Sequence, residues 1–255
     1  MNDVIKQLQN RKSIRKFTGE KVKEEDLKMI LETAQRAANS SNCQQISLVV
    51  IRDKEKLKKI AELCDGQKHI EEADVFIYVL MDYYRGIYAA KSVGKKNISA
   101  TSANGILVGT VDAGIMVNMI QTAAESLGYG TTVVGAVRSS ASLQEISEFL
   151  NLPDYVFPIV GTTIGVPAEV KLTGPKPRVP LDTFAFINRY NTEKVEEGVE
   201  IHNVELKEWS DKNSTSYFYS YKDSVVYTNE TLKYDKVNKV LEEKGFKFTD
   251  NPCDD

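Results

Sequence analysis

The sequence predicts a globular fold of interleaved helices and strands that lacks the repeated strand–helix–strand period of a doubly wound sheet. Three observations carry this prediction. Hydrophobic residues make up 42% and charged residues 27% of the 255-residue chain, an ordinary globular balance far from that of a disordered one. Short runs rich in β-branched residues, bounded by Gly, Asn and Asp, recur along the first two thirds. The helical segments between them are long and unequal, so no βαβ unit repeats. The length admits one large domain or two small ones.

In chain order, residues 2–10 read as a short helix ending at a basic segment. A second helix is expected from about Lys23 to Ala38, with Leu27, Ile30, Leu31, Ala34 and Ala38 at helical spacing and Glu24, Glu25 and Asp26 in its first turn. Asn39 to Asn42 form a polar loop. Ile46 to Ile51 is a strand, Lys54 to Cys64 a helix, and Val75 to Met81 an apolar strand buried on both faces. From Ile98 to Ala124 the only charge is Asp112. That run is long enough to cross a bilayer, but Asn104, Asp112, Asn118 and Gln121 favour a buried central helix, packed on a partner subunit or within the core. Thr131 to Val137, interrupted by Gly135, reads as a third strand, Leu143 to Leu150 as a helix, and Val156 to Ile164 as a fourth strand. A Gly/Pro/Lys loop follows from Val166 to Pro180. After about Ile187 the composition turns to Asn, Lys, Glu and Tyr, with a closing helix expected over Leu232 to Lys244. The chain is read as one domain over 1–255, with 187–255 as a C-terminal extension or an arm across a dimer.

Several function classes recede on composition. The net charge of −3 creates no global field for nucleic acid or anionic membrane, so neither is expected as a partner. The N-terminus lacks the apolar stretch of a secretory signal. Cys43, Cys64 and Cys253 are odd in number and show no CxxC spacing, which points to free thiols in a reducing cytoplasm. With His69 and His202 as the only histidines, ligands are too few for a typical transition-metal centre, and no metal is expected. The GxGxxG, P-loop, GxSxG and HExxH patterns are all absent.

What remains is a set of polar clusters, each open to two readings. Arg11, Lys12, Arg15 and Lys16 place four cations within six residues around Ser13. They suit an anion through charge-assisted hydrogen bonds, or equally a solvated helix end. Lys176 and Arg178 sit among Pro175, Pro177 and Pro180, a stiff loop that presents two cations or is simply a surface connection. Ser40, Ser41, Asn42 and Gln44 suit the edge of a heteroaromatic ring, or a plain turn. Gln67 beside Gly66 is either a ring contact or a surface residue.

Five short strings in order carry a resemblance: RKSIRKFTGEKV at 11–22, AANSSNCQ at 37–44, DGQKHIEEAD at 65–74, AAESLGYGTTVVGAVR at 123–138 and GVPAEVKLTGPKPRVP at 165–180. The chain resembles the flavin-dependent nitroreductases, most closely the oxygen-insensitive, NADPH-linked nitroreductase and flavin reductase branch. Trp209-Ser210-Asp211 extends the likeness weakly into the last quarter. The resemblance implies an α+β fold with a central, mostly antiparallel sheet flanked by helices, a C-terminal extension and an intimate homodimer with FMN in each interface site. It implies that Arg11, Lys12, Ser13 and Arg15 contact FMN, with Arg15 near the pyrimidine edge, and that Lys176 and Arg178 grip the phosphate. Gln67 would bond the polar side of the ring, and the loop of Ser40, Ser41, Asn42 and Gln44 would come from the other subunit. Backbone at Val134, Gly135 and Ala136 would approach N5, and Arg138 would meet the nicotinamide cofactor.

The implied activity is two-electron, ping-pong reduction of nitroaromatics, quinones or free flavin by NADPH or NADH, without a catalytic side chain. The sequence departs from the family at two places. Val133-Val134-Gly135-Ala136 replaces a Tyr-Ile-Gly-Gly pattern, and the loop before Trp209, usually rich in arginine, offers only Lys207 between Ile201 and Lys207. No strong preference for NADPH is therefore expected. Two other readings stand beside this one: another FMN enzyme of the same fold, such as a dehalogenase or flavin-modifying enzyme, and a non-enzymatic anion-binding protein, against which the acidic pI of about 5.7 counts if the anion is a nucleic acid.

Overall fold

The computed structural model describes residues 1–139, 142–168, 175–213, 220–231 and 235–251. Along the chain the elements are α1 (Asp3–Asn10), α2 (Glu24–Ala34), a 3-10 turn (Ser40–Asn42), β1 (Ile46–Ile51), α3 (Lys54–Leu63), α4 (Lys68–Glu72) and β2 (Val75–Asp82). Then follow α5 (Tyr84–Ser92), α6 (Ala103–Ser126), β3 (Gly130–Val134), α7 (Ala136–Ser139), α8 (Leu143–Phe149) and β4 (Val156–Gly165). Beyond them lie α9 (Thr192–Asn213), α10 (Tyr221–Thr231) and α11 (Asp235–Glu243). The chain divides into two compact units, Met1–Glu169 with Lys233–Asp255, and Val170–Leu232.

The first unit is built on one sheet of order β1-β2-β4-β3, every pair antiparallel. Its organising strand is β2, buried from Val75 to Met81 because it lies between two neighbours and beneath helices on both faces. Alternation sorts its side chains. Phe76, Tyr78 and Leu80 join Leu57, Ile60, Ile70 and Ile146 in one core. Val75, Ile77 and Val79 join Ile30 and Ala34 of α2 and Val117 and Ile120 of α6 in another. Each large side chain so buried contributes about 1.5–3 kcal/mol relative to exposure. A third core collects Met81, Ile106, Leu143 and Phe157 under Val240 of α11 and Phe246, so the closing helix returns to this unit.

Long, apolar α6 is the central helix, as its sequence suggests. It passes the length and hydropathy test for a membrane span, yet it packs against all four strands and α2. Of the expected third strand, only Gly130–Val134 is strand. Gly135 breaks the ladder, and Ala136 and Val137 turn into α7, where both are buried against the first core. Residues 169–174 of the 166–180 loop and 232–234 of the closing helix lie outside the described residues.

The second unit is dominated by α9. Ile201 to Lys207, read from the sequence as a loop, is the middle of this helix. Its buried positions are Gly198, His202, Leu206 and Ser210, one per helical turn. Gly198 lies against Thr183 with no room for a Cβ, and the His202 ring stacks on Tyr221 of α10 with centroids 5.2 Å apart. A seam of Gly, His, Leu and Ser carries little hydrophobic contrast, which is why the periodicity escapes the sequence.

Candidate active site

The basic segment begins where α1 ends: Arg11 is the C-cap, extended (φ −57°, ψ 129°), its N–H donating to Leu8 O at 3.4 Å, and no basic residue lies in the last turn of the helix. The cations lie on a strap stitched across the ends of β3 and β4. Ile14 N–H donates to Thr131 O at 2.8 Å and the Thr132 hydroxyl donates to Ile14 O at 2.6 Å. Thr18 N–H donates to Val166 O and Ala168 N–H to Lys16 O, both at 3.0 Å, with Phe17 bridged to Pro167. Two glycines permit this approach. A Cβ on Gly130 would stand 2.7 Å from Ile14 Cγ2, and one on Gly165 would stand 2.7 Å from Phe17 Cδ1. With its backbone fixed, the strap leaves Lys12, Arg15 and Lys16 exposed and Arg11 and Ser13 half-buried.

Two side chains near the strap are tuned by it. Burial raises the Glu125 carboxyl above its ordinary range, while a hydrogen bond from Thr131 and the charge of Arg11 pull it back. Burial, then the charge of Arg15, lowers His69 from 6.5 to about 4, so this imidazole is neutral at pH 7. His69 Nε2 is buried and has no hydrogen-bond partner among the described residues. A buried polar atom left in this state is costly unless a ligand completes it. Gln67, two residues earlier, is half-buried at the start of α4, its own N–H tied to Ala61 O at 3.2 Å. Arg15 on the strap thus acts on the imidazole of His69, two residues beyond Gln67.

At the other end of β3, Val134 and Ala136 are buried and Gly135 makes the turn. A methyl on Gly135 would meet nothing nearer than Arg138 Nη1 at 3.8 Å, so there is room beside its Cα. Arg138 folds back onto the sheet, Nη1 donating to Ile159 O at 2.7 Å.

The loop after α2 is held in an unusual form. Ser41, Asn42 and Gln44 have φ of 51°, 53° and 52°, a left-handed conformation that costs a non-glycine residue about 1–3 kcal/mol. Ser40 N–H donates to both carboxylate oxygens of Asp112 at 3.3 and 3.2 Å, and Gln45 Nε2 donates to one of them at 2.6 Å. Arg85 adds a bond to Gln44 O at 2.8 Å. Residues 40–44 are exposed. Cys43 shares this exposure, whereas Cys64 is buried and its thiol is pushed up to about 12, which leaves it unreactive.

Lys176 and Arg178 belong to the second unit. Arg178 Nη1 donates to the Lys176 and Pro177 carbonyls at 3.2 and 3.1 Å. Burial chiefly lowers His202; Glu205 opposes this, and the charges of Arg178 and Lys176 add to it. Both cations therefore act on a histidine whose buried Nδ1 has no hydrogen-bond partner among the described residues.

Sequence reasoning passed over His69 and the role of Asp112. The latter had a signal. A single carboxylate in an uncharged run from Ile98 to Ala124 must find donors if it is buried.

The fold defines a class: an α+β protein built on one antiparallel sheet flanked by helices. The chain matches the Nitroreductase family over residues 8–166 and the Nitroreductase family C-terminal domain over 176–249. It is 37% identical over 250 residues to an "FMN reductase [NAD(P)H]" of Bacillus subtilis (strain 168), covering 97% of this chain and 99% of that one. It is 36% identical over 209 residues to a "CR(VI) reductase" of Pseudomonas sp. (strain G-1), covering 82% and 84%. The solved structure of B. megaterium NfrA2 superposes with a TM-score of 0.91 at 34% identity, over 97% of this chain and 99% of that one. The chain belongs to the nitroreductase family.

Proposed function

We propose that this chain is an FMN-dependent oxidoreductase that takes electrons from NADH or NADPH and delivers them to small, flat acceptors such as quinones, nitroaromatics or free flavin. The observation that carries the reading is the strap, from which Arg15 acts electrostatically on His69, whose buried Nε2 has no hydrogen-bond partner among the described residues. FMN fits these residues. Its phosphate calls for cations such as Lys176 and Arg178, its pyrimidine edge for the donors and acceptors of Arg15 and Gln67, and its ring face for the open backbone at Gly135. Bound there, FMN supplies the hydride-exchanging N5.

The residues then have distinct tasks. Arg15 offsets negative charge that builds at the pyrimidine edge on reduction, a preorganised electrostatic role. Arg11, Lys12 and Ser13 fix the cofactor's tail, and Val134, Gly135 and Ala136 set the height of the ring. No side-chain acid or base is needed for hydride exchange. The donor and acceptor use the same ring face in turn. Lys207 is the one lysine or arginine in the stretch from Ile201 to Lys207, and the B. subtilis relative is named for both nicotinamides, which supports use of either.

A homodimer is part of the proposal. On α6 the exposed residues Asn104, Leu107, Val111, Gly114 and Asn118 alternate at spacings of three and four, the seam of one helix against another. Leu107 is 64% and Val111 60% exposed, far more than apolar side chains opposite a core need be. A second copy covering this seam would also bring its Ser40–Asn42 loop to the cofactor. Free Cys43 and Cys64 support a reducing, cytosolic setting.

Initial rates with NADH and a quinone test the reading. Parallel double-reciprocal lines and loss of activity on removing FMN are expected. Intersecting lines would show that donor and acceptor do not share one face.

A further inference from the structure

Asp112 is 4% exposed in the middle of the central helix. Its donors are the Ser40 N–H and the side chain of Gln45, itself 5% exposed. These two contacts bracket Ser41, Asn42 and Gln44, the three residues in the left-handed region. A carboxylate is an acceptor only, with two oxygens, so it takes both donors at once. Unbracketed, three non-glycine residues would relax toward ordinary backbone angles. The helix that carries Asp112 also carries the exposed seam of Leu107 and Val111.

We infer that Asp112 is a positioning residue: it locks the Ser40–Asn42 loop in the form that contacts the flavin of the partner subunit, tying flavin affinity to the dimer helix. The inference rests on the proposed FMN site and dimer. Asp112 touches neither cofactor nor substrate; it acts through the loop. Because the loop serves the other subunit, a defect at Asp112 appears in the partner's site rather than in its own.

The test is FMN titration of the full-length apoprotein, with flavin fluorescence and the visible circular dichroism of bound flavin as readouts. Asp112→Asn should raise the FMN dissociation constant about tenfold and change the dichroism while far-ultraviolet spectra and dimer mass stay those of the wild type. Asp112→Asn combined with Gln45→Glu restores both hydrogen bonds with one polarity reversed, and should recover affinity to within about threefold. Hybrid dimers pairing an Asp112→Asn chain with an Arg15→Ala chain should keep one normal site in two. Two impaired sites, or an Asp112→Asn protein that binds FMN as tightly as wild type with unchanged dichroism, overturn the inference. Should Asp112→Asn not fold, Gln45→Met removes one of the contacts and should still weaken FMN several-fold; unchanged affinity there also overturns it. A wild-type protein that binds no FMN overturns the proposed function itself, and this inference with it.

Discussion

Arg15 and His69 illustrate how one side chain sets the state of another. Burial and the guanidinium both disfavour the imidazolium, so His69 titrates near 4 in the folded protein against 6.5 for the free side chain. The unfolded chain therefore binds the extra proton first. The stability this group contributes is fully present above about pH 6.5 and is lost as pH falls from there towards 4. Urea unfolding of wild type and His69→Gln across that window should show a steeper acid loss for wild type; parallel curves would mean the imidazole is not held neutral. Arg178 makes a prediction of a different kind. Arg178→Ala should weaken FMN by about ten- to a hundredfold, the worth of one charge-assisted contact, and unchanged flavin retention in equilibrium dialysis would remove it from the phosphate site. Residues that carry charge or amides, such as Arg15, Gln67 and Asp112, were visible in the sequence. What was not visible was which of them share a neighbourhood, because that depends on backbone fixed far away in the chain.

Among the elements, the strap shows why the basic segment resisted a decision by sequence alone. Its partners, Thr131, Thr132, Val166 and Ala168, lie more than a hundred residues away. Gly130 permits the strap's path, since its missing Cβ is the space Ile14 occupies. Gly130→Ala should cost about 1–3 kcal/mol by overpacking and loosen FMN as the strap shifts. Adding Ile14→Val should recover part of both, as read by thermal unfolding and flavin titration; a Gly130→Ala protein with wild-type flavin affinity would uncouple strap from site. β1, β2 and β4 were legible because their runs are rich in β-branched and aromatic residues. The end of β3 was not, since Ala136 and Val137 are equally apolar in a strand or in a short buried helix. α9 was missed for the opposite reason, its buried seam being too polar to show a period.

At the scale of the molecule, the antiparallel sheet and central helix form a scaffold that one chain leaves with an exposed apolar seam. Sedimentation should give a dimer at micromolar concentration. Val111→Glu should shift it to monomer and release FMN, because the seam and the Ser40–Asn42 loop belong to the same interface in this account; a monomeric variant that keeps its flavin would separate the two. The choice of reductant also belongs here. A hundredfold preference for NADPH corresponds to about 2.7 kcal/mol, more than Lys207 alone is asked to supply between Ile201 and Lys207. One measurement bears on all of this: anaerobic stopped-flow mixing of the FMN-loaded protein with NADH and, separately, with NADPH. The account predicts that the flavin absorbance bleaches with both, at rates within about a hundredfold of each other. Flavin that stays oxidised with either reductant would contradict the central claim.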